Sequence, residues 1–453
     1  MNDPNGLVFT GGLYHLFFQY HPDGLTWGPM HWGHATSRDL VHWEEQPIAL
    51  YPDALGMIFS GSIVIDTDNT SGFGCDGKAP WVAIFTHHHP ITEKMGGNVH
   101  QYQSIAFSLD DGVSWTKYAG NPVLPNPGIK NFRDPKVFWH TESGRWVMSL
   151  AAGDRIVFYS SPDLKAWVLE SELSGFEISE GNVLECPDLV ALDLEGRKRW
   201  VLIVSVVTDA PNGGSGTRYI VGDFDGRNFV PEHDDIRWLD YGPDNYAGVT
   251  FHNTGDQVLL IGWMSNWAYA QSVPTAPWRS AMTLPRELRL VRACGKAVLA
   301  HSVPPVFDGQ PLLKGDWHSN MSAAWRQAFG VLKLSLKAEN QPSFELTLSN
   351  DLGERLNIGF DAVQQQYYID RRDAGSNKFS PEFPIRATAP RIDMGQGTDF
   401  SLYIDNGSIE MFADGGMTAL TSLYFPSVPY DSIQLQMCEP AQNSRLTVSE
   451  INL

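Results

Sequence analysis

Three acidic side chains in this chain sit in proline-braced turns directly ahead of apolar runs: Asp3 in MNDPNG, Asp134 in FRDPKVFW and Glu185 in LECPDLVAL. Asp3 and Asp134 stand directly before a proline and Glu185 two residues before Pro187, so each carboxylate is held by a nearby proline at the mouth of a strand. Taken singly, Asp and Pro are ordinary turn residues. The shared placement makes them read as one site assembled from three places. Neighbouring carboxylates push their pKa values apart, leaving one ionised while another keeps its proton. Such a pair can split a glycosidic bond: the protonated group supplies a proton to the leaving oxygen, and the carboxylate attacks, or activates water against, the cationic sugar carbon. A third carboxylate can bind sugar hydroxyls more strongly as positive charge builds.

Bringing the three together requires a scaffold that returns repeatedly to one axis. Strand-like runs dominate to about residue 300, among them YHLFFQY, GSIVI, WVAIF, RWVMSL, WVLIVSVV and QVLLIGW, and helical periodicity is almost absent. The fold class is therefore all-β. SRDLVHW, SLDDGVSW, SPDLKAW and GDFDGRNF each end a strand, turn at an Asp and resume on an aromatic, roughly one blade length apart. Read as the hairpin between the outer strands of a blade, each repeat makes GLVF, SIVI, KVFW, DLVAL and AGVTF the first strands of a five-bladed β-propeller spanning residues 1–300. First strands run beside the axis, so the residues leading into them share one end of the channel. Asp3, Asp134 and Glu185 hold that place in blades 1, 3 and 4. HSVPPVFDGQPLLKGD reads as a linker, residues 301–317. The alternating strands that follow predict a β-sandwich over residues 318–453, with a supporting or sugar-binding role.

Composition narrows the partners. At 453 residues the chain exceeds one growing core, which agrees with two domains. Lys and Arg total 32 against 52 for Asp and Glu, a formal charge of -20 that repels nucleic acid and anionic membranes. No apolar run has the length to cross a bilayer, and the start lacks the basic and apolar regions of a signal peptide, so a soluble protein is expected. The chain opens on the motif itself, which leaves its compartment undetermined. Cys75, Cys186, Cys294 and Cys438 are far apart and read as free thiols.

MNDPNG, LFFQYHPDGLTWG, WGHATSRDLVHW, FSGS, SGFG, FRDPKVFW, LECPDL, GPDNYAGVTF, IGWMSNW and PWRSAMTLPREL, in that order, resemble the β-fructosidases of glycoside hydrolase family 32: invertases, exo-inulinases and levanases. YYIDRRDAG and SIEMFADGG resemble the β-sandwich of that family, so the likeness covers nearly the whole chain. The resemblance implies a retaining mechanism, with Asp3 as nucleophile on the fructosyl carbon and Glu185 as acid and then base. Asp134 would bind fructose hydroxyls and stabilise the oxocarbenium-like transition state. It further implies that Asn2, Gln19, Trp27, Phe59, Ser60, Arg133 and Trp263 line the fructose subsite, and that Cys186 packs beside the acid without doing chemistry. The expected substrates are sucrose and fructans (inulin, levan). Exo action follows from the likeness of GPDNYAGVTF and IGWMSNW to exo-acting relatives. A fructosyltransferase would use the same residues, and a non-catalytic fructan-binding propeller is the rival from another class. Relative to the family, almost no segment precedes MNDPNG, which makes closure of the ring beside Asp3 a structural question.

Three signals lead elsewhere. His87, His88 and His89 invite a metal reading, but adjacent strand positions face opposite ways, so they read as a polar loop at the pocket rim and no metal or other cofactor is expected. SLDDGVSW also fits the Asp-box turn of sialidases, a structural turn, and no arginine triad for a sialate accompanies it. Asn69 and Asn320 begin glycosylation sequons that are short enough to arise by chance.

Overall fold

The computed structural model describes residues 1–315, 321–324, 331–392, 395, 397–437 and 445–451. Cys438, Asn320 and the expected sandwich start at residue 318 lie outside these.

Five antiparallel sheets follow one another along the chain. Blade 1 contains Pro4–Thr10, Leu13–Tyr20, His31–Ser37 and Trp43–Leu50, and blade 2 contains Met57–Ile65, Trp81–His88, Gln101–Ser108 and Thr116–Lys117. Blade 3 is Phe132–His140, Arg145–Ala152, Arg155–Ser161 and Val168–Leu173. Blade 4 is built on Leu184–Leu194, Arg197–Val206, Gly216–Phe224 and Phe229–Pro231, and blade 5 on Tyr246–Thr250, Leu259–Met264, Arg286–Ala293 and Lys296–Ser302. The five expected first strands are the innermost strands of these sheets. Each packs against the next around the axis, and the fifth packs against the first. The ring closes there by backbone pairing: Phe9 N–H donates to His252 O at 3.0 Å, and His252 N–H to Leu7 O at 2.8 Å.

Each junction between blades is a separate hydrophobic core. Val8, Phe17 and Trp32 of blade 1 pack on Ile58, Trp81 and Phe85 of blade 2, and comparable clusters fill the next three junctions. The repeated turns join outer strands, as their sequence suggests. In three of them a Ser–Asp pair satisfies the turn's backbone N–H groups, and the following indole closes it: Trp43, Trp115 and Trp167 Nε1 donate to the carbonyls of Leu40, Gly112 and Leu164 at 3.0–3.1 Å.

The second unit is a sandwich of two six-stranded sheets around one large apolar core. Gln310–Gly315, expected as linker, pairs with Arg445–Ile451 as an edge strand of the first sheet. Its alternation is hidden by a proline and a register shift after Pro311. The sandwich docks on blade 5 through fully buried charge. Arg286 donates to Asp240 Oδ2 at 2.8 Å, to Glu410 Oε2 at 2.6 Å and to Thr421 Oγ1 at 2.7 Å. Removing one member of such a set leaves an uncompensated buried charge, at a cost of about 3–5 kcal/mol.

The histidine run departs from its sequence reading. His87 and His88 end the buried strand Trp81–His88, and only His89 enters the loop, where its side chain caps the short helix Pro90–Lys94. The run is strand because His88 pairs with Gln101 and His87 with Tyr102. Among the described residues no helix is long and apolar enough to cross a membrane.

Candidate active site

One irregularity of the backbone recurs in every blade. The innermost strand carries a register shift near its start: at Asn5/Val8, Ile58/Gly61, opposite Ser149/Ala151, at Glu185/Asp188 and at Tyr246/Val249. A bulge re-aims side chains and frees one N–H from the ladder. In four blades a residue with positive φ sits in it: Gly6 at 50°, Asp134 at 66°, Cys186 at 47° and Ala247 at 52°. Proline follows directly in blades 3 and 4, where the freed N–H is not needed. Aligned on the bulge, Arg133, Glu185 and Tyr246 occupy the same position in blades 3, 4 and 5, the one before the positive-φ residue. Arg133 and Tyr246 both contact Glu185.

Glu185 is held from both sides. Arg133 donates through Nε (3.1 Å) and Nη2 (2.6 Å) to Oε1, and the Tyr246 hydroxyl donates to Oε2. Arg133 is itself aimed by Asn131 Oδ1 at 2.9 Å and Gln101 Oε1 at 3.4 Å. Burial works against the Arg133 charge, but Glu185 and Asp134 outweigh it and hold the guanidinium above its ordinary range.

Asp3 lies just ahead of Pro4–Thr10. Ser60 Oγ donates to its Oδ2 at 2.7 Å and Asn2 Nδ2 to its Oδ1 at 3.1 Å, while Gln19 N–H and Asn5 Nδ2 take its backbone carbonyl. Asp134 Oδ2 accepts the Cys186 N–H at 3.0 Å and lies 3.9 Å from Arg133 Nε. The Cys186 sulfur sits 3.6 Å from Asp3 Oδ2 and 3.7 Å from Asp134 Oδ2, so its one S–H proton serves either carboxylate. Burial pushes this thiol well above its usual range, and the carboxylates push the same way, so it stays a neutral donor.

Burial, then the charge of Glu185, raises Asp3, though the Ser60 and Asn2 hydrogen bonds oppose it. Asp134 is pushed up to about 7, by burial first and by Glu185 and Asp3 after the opposing pull of Arg133. A carboxyl raised in the folded state gives stability that is full below its ordinary 3.8 and lost as pH climbs through about 7. Asp134→Asn is therefore expected to leave the thermal midpoint nearly unchanged at pH 4 and to raise it at pH 8, by about 1–2 °C for each kcal/mol relieved. Melting curves at the two pH values check this. A lower midpoint at pH 8 would sink it.

The remaining sequence-predicted residues distribute around this cluster. Gln19 is buried, its Nε2 donating to Ile58 O at 3.0 Å. Phe59 stacks on His88 with centroids 4.3 Å apart, and the half-exposed Trp27 stands edge-on to Phe59 at 5.9 Å, forming a rim. Trp263 is 1% exposed and edge-on to Tyr246, so it backs the wall more than it presents a face. A cavity of about 220 Å³ is lined by Asn2, Trp27, Trp263, Trp267 and Gln271, and Asn2 connects it to the cluster through its hydrogen bond to Asp3. Sequence reasoning passed over Tyr246 and Gln101. Tyr246 was within reach of the repeat, since it stands in blade 5 where Arg133 and Glu185 stand in theirs.

A five-bladed propeller with carboxylates gathered at one end of its axis, joined to a β-sandwich, is the architecture of a class of glycoside hydrolases. Residues 1–301 match the N-terminal domain of glycosyl hydrolases family 32 and residues 314–452 match the family 32 C-terminal domain, and the chain belongs to that family. It is 42% identical to a levanase of Bacillus subtilis over 96% of its own length, and spans 66% of that protein. It is 41% identical to the extracellular exo-inulinase of Aspergillus niger, with 94% of this chain and 87% of that one covered. Among solved structures, the exo-inulinase of Aspergillus awamori superposes with a TM-score of 0.92 at 37% identity, covering 100% of this chain and 96% of that one. The fructofuranosidase of Schwanniomyces occidentalis complexed with fructose superposes with a TM-score of 0.89 at 33% identity, covering 99% and 95%.

Proposed function

We propose that this protein is a retaining, exo-acting β-fructofuranosidase releasing fructose from sucrose or from fructans, with residues 1–300 as the catalytic unit and the sandwich docked on it as support. The observation that carries this is the contrast between two carboxylates. Asp3 has an oxygen fixed by Ser60, as a nucleophile needs, and Glu185 is oriented through both oxygens by Arg133 and Tyr246, as a proton donor needs. The named relatives supply the substrate class.

In the first step an Asp3 oxygen attacks the anomeric carbon of the fructosyl unit. The bond to the leaving oxygen breaks, and that oxygen takes the proton of Glu185. In the second step Glu185, now a carboxylate, removes a proton from water, the water oxygen bonds to the same carbon, and the Asp3 carboxylate departs. Two inversions retain configuration. Asp134, with Arg133 beside it, faces the sugar hydroxyls and the developing positive charge.

Incubation with sucrose, inulin and levan, followed by product analysis, tests the proposal. Free fructose as the first product is expected. No fructose from any of the three, with protein shown to be folded, would overturn it, and oligosaccharides accumulating at high sucrose would redirect it to transfer.

A further inference from the structure

The seven residues Asp240 to Tyr246 touch the sandwich at one end and Glu185 at the other. Asp240 takes Arg286 Nη1 at 2.8 Å, Thr421 Oγ1 at 2.7 Å and Thr421 N–H at 2.9 Å. Tyr241 N–H donates to Ala419 O at 2.8 Å and Asp244 N–H to Thr421 O at 3.2 Å, so the segment lies along the sandwich strand Thr418–Leu423 like an added strand. A Cβ on Gly242 would come within 2.1 Å of the Thr421 backbone, a separation that only glycine allows. Asp244 Oδ2 accepts Arg371 Nη1 at 2.5 Å and Leu423 N–H at 2.9 Å, and its Oδ1 accepts the Tyr269 hydroxyl at 2.6 Å. Arg371, from the sandwich strand Gln366–Asp373, also reaches Tyr269 at 2.8 Å. All four charges, Asp240, Asp244, Arg286 and Arg371, are buried. Two residues past Asp244, the Tyr246 hydroxyl meets Glu185 Oε2.

We propose that this segment is a strap by which the sandwich positions the carboxyl group of Glu185, with Tyr246 as the positioning residue. This rests on Glu185 acting as the acid and base. With Oε1 taken by two N–H groups of Arg133, the transferable proton belongs on Oε2. Tyr246 fixes where that oxygen points. The phenol cannot drift, because its backbone is tethered on one side by Asp244 and on the other by Ala247 N–H, which donates to Ser205 Oγ at 3.1 Å. Arg133 and Asp134 of blade 3, Asp3 of blade 1 and Cys186, next to Glu185 in blade 4, complete the charged and titratable surroundings of Glu185, and the strap gives its carboxyl group a hydrogen-bonded path to the sandwich.

The test uses leaving-group dependence in the full chain. Tyr246→Phe should lower kcat/KM on sucrose, which reports formation of the covalent intermediate and not its hydrolysis, about tenfold. On an aryl β-fructofuranoside, whose phenolate departs without a proton, the loss should be under about threefold. Asp244→Asn touches no sugar and should show the same pattern, and the double variant should lose no more than Tyr246→Phe alone. Arg371→Lys, which keeps the charge and loses the fork, gives the same reading if Asp244→Asn does not fold. Losses alike on both substrates in the Asp244 or Arg371 variant, or additive losses in the double variant, would overturn the strap while Glu185→Gln keeps its leaving-group dependence. If Glu185→Gln itself lacks that dependence, the acid assignment fails and the strap with it.

Discussion

Asp3→Ala is expected to remove fructose release almost completely, with kcat on sucrose down by about 10⁴-fold or more. Its carboxylate would form the one covalent bond that divides the reaction into two steps, and nothing else in the site can replace it. Asp134 is tied to the Cys186 N–H, Glu185 is held by Arg133 and Tyr246, and the Cys186 thiol is kept neutral by its surroundings. Asp3→Asn separates chemistry from folding. The amide can still accept from Ser60 Oγ, as Asp3 Oδ2 does at 2.7 Å, and although it loses the hydrogen bond from Asn2 at Oδ1 it removes a buried charge that burial and Glu185 disfavour, so the variant should still fold. Both variants would be assayed on sucrose and melted alongside the parent protein. Residual turnover above about 1% in either would take the nucleophile's role from Asp3.

The architecture was legible because a propeller writes itself into sequence as repetition. The Ser–Asp turn and its indole recur because each blade needs the same backbone N–H groups satisfied at the same corner, and this marked out the first strands. Asp3, Asp134 and Glu185 were visible because a proline follows each within two residues. Their equivalence is looser than the sequence suggests. Asp3 precedes its strand, Asp134 sits in its bulge at a φ of 66°, and Glu185 sits one residue before its bulge. The bulges let three different offsets converge on one end of the axis.

What escaped was carried by contacts between distant segments. Arg371 and Asp244 are 127 residues apart in sequence, and Arg286 and Glu410 are 124 apart, with no local pattern to reveal either pairing. The motifs holding them were read as marks of family, and the structure gives them physical work: GPDNYAGVTF, PWRSAMTLPREL, YYIDRRDAG and SIEMFADGG supply Asp244, Arg286, Arg371 and Glu410, buried charges that fasten sandwich to propeller. Tyr246 was missed for a different reason. A tyrosine opening an apolar strand looks like core, and its hydroxyl declares itself only when Glu185 is seen to end against it.

Glu185→Ala is expected to lower kcat on sucrose by about 10³-fold, within the range that a positioned acid and base contributes, while an aryl β-fructofuranoside still forms the covalent intermediate quickly. The argument lies in which step needs a proton. A sugar alkoxide is a poor leaving group and must be protonated as it departs, whereas a phenolate is not so bound. Hydrolysis of the intermediate then becomes slow for both substrates, because water must still lose a proton to a base that is gone. Azide carries its charge already and fits the space left by the shortened side chain, where Arg133, losing both hydrogen bonds to Oε1, presents a positive charge to it. Added azide should therefore raise turnover of the aryl substrate severalfold and give β-fructofuranosyl azide, with configuration retained. Product of inverted configuration would overturn the two-step mechanism. An azide effect absent from Glu185→Ala and present in an Asp134 variant would move the acid's role from blade 4 to blade 3.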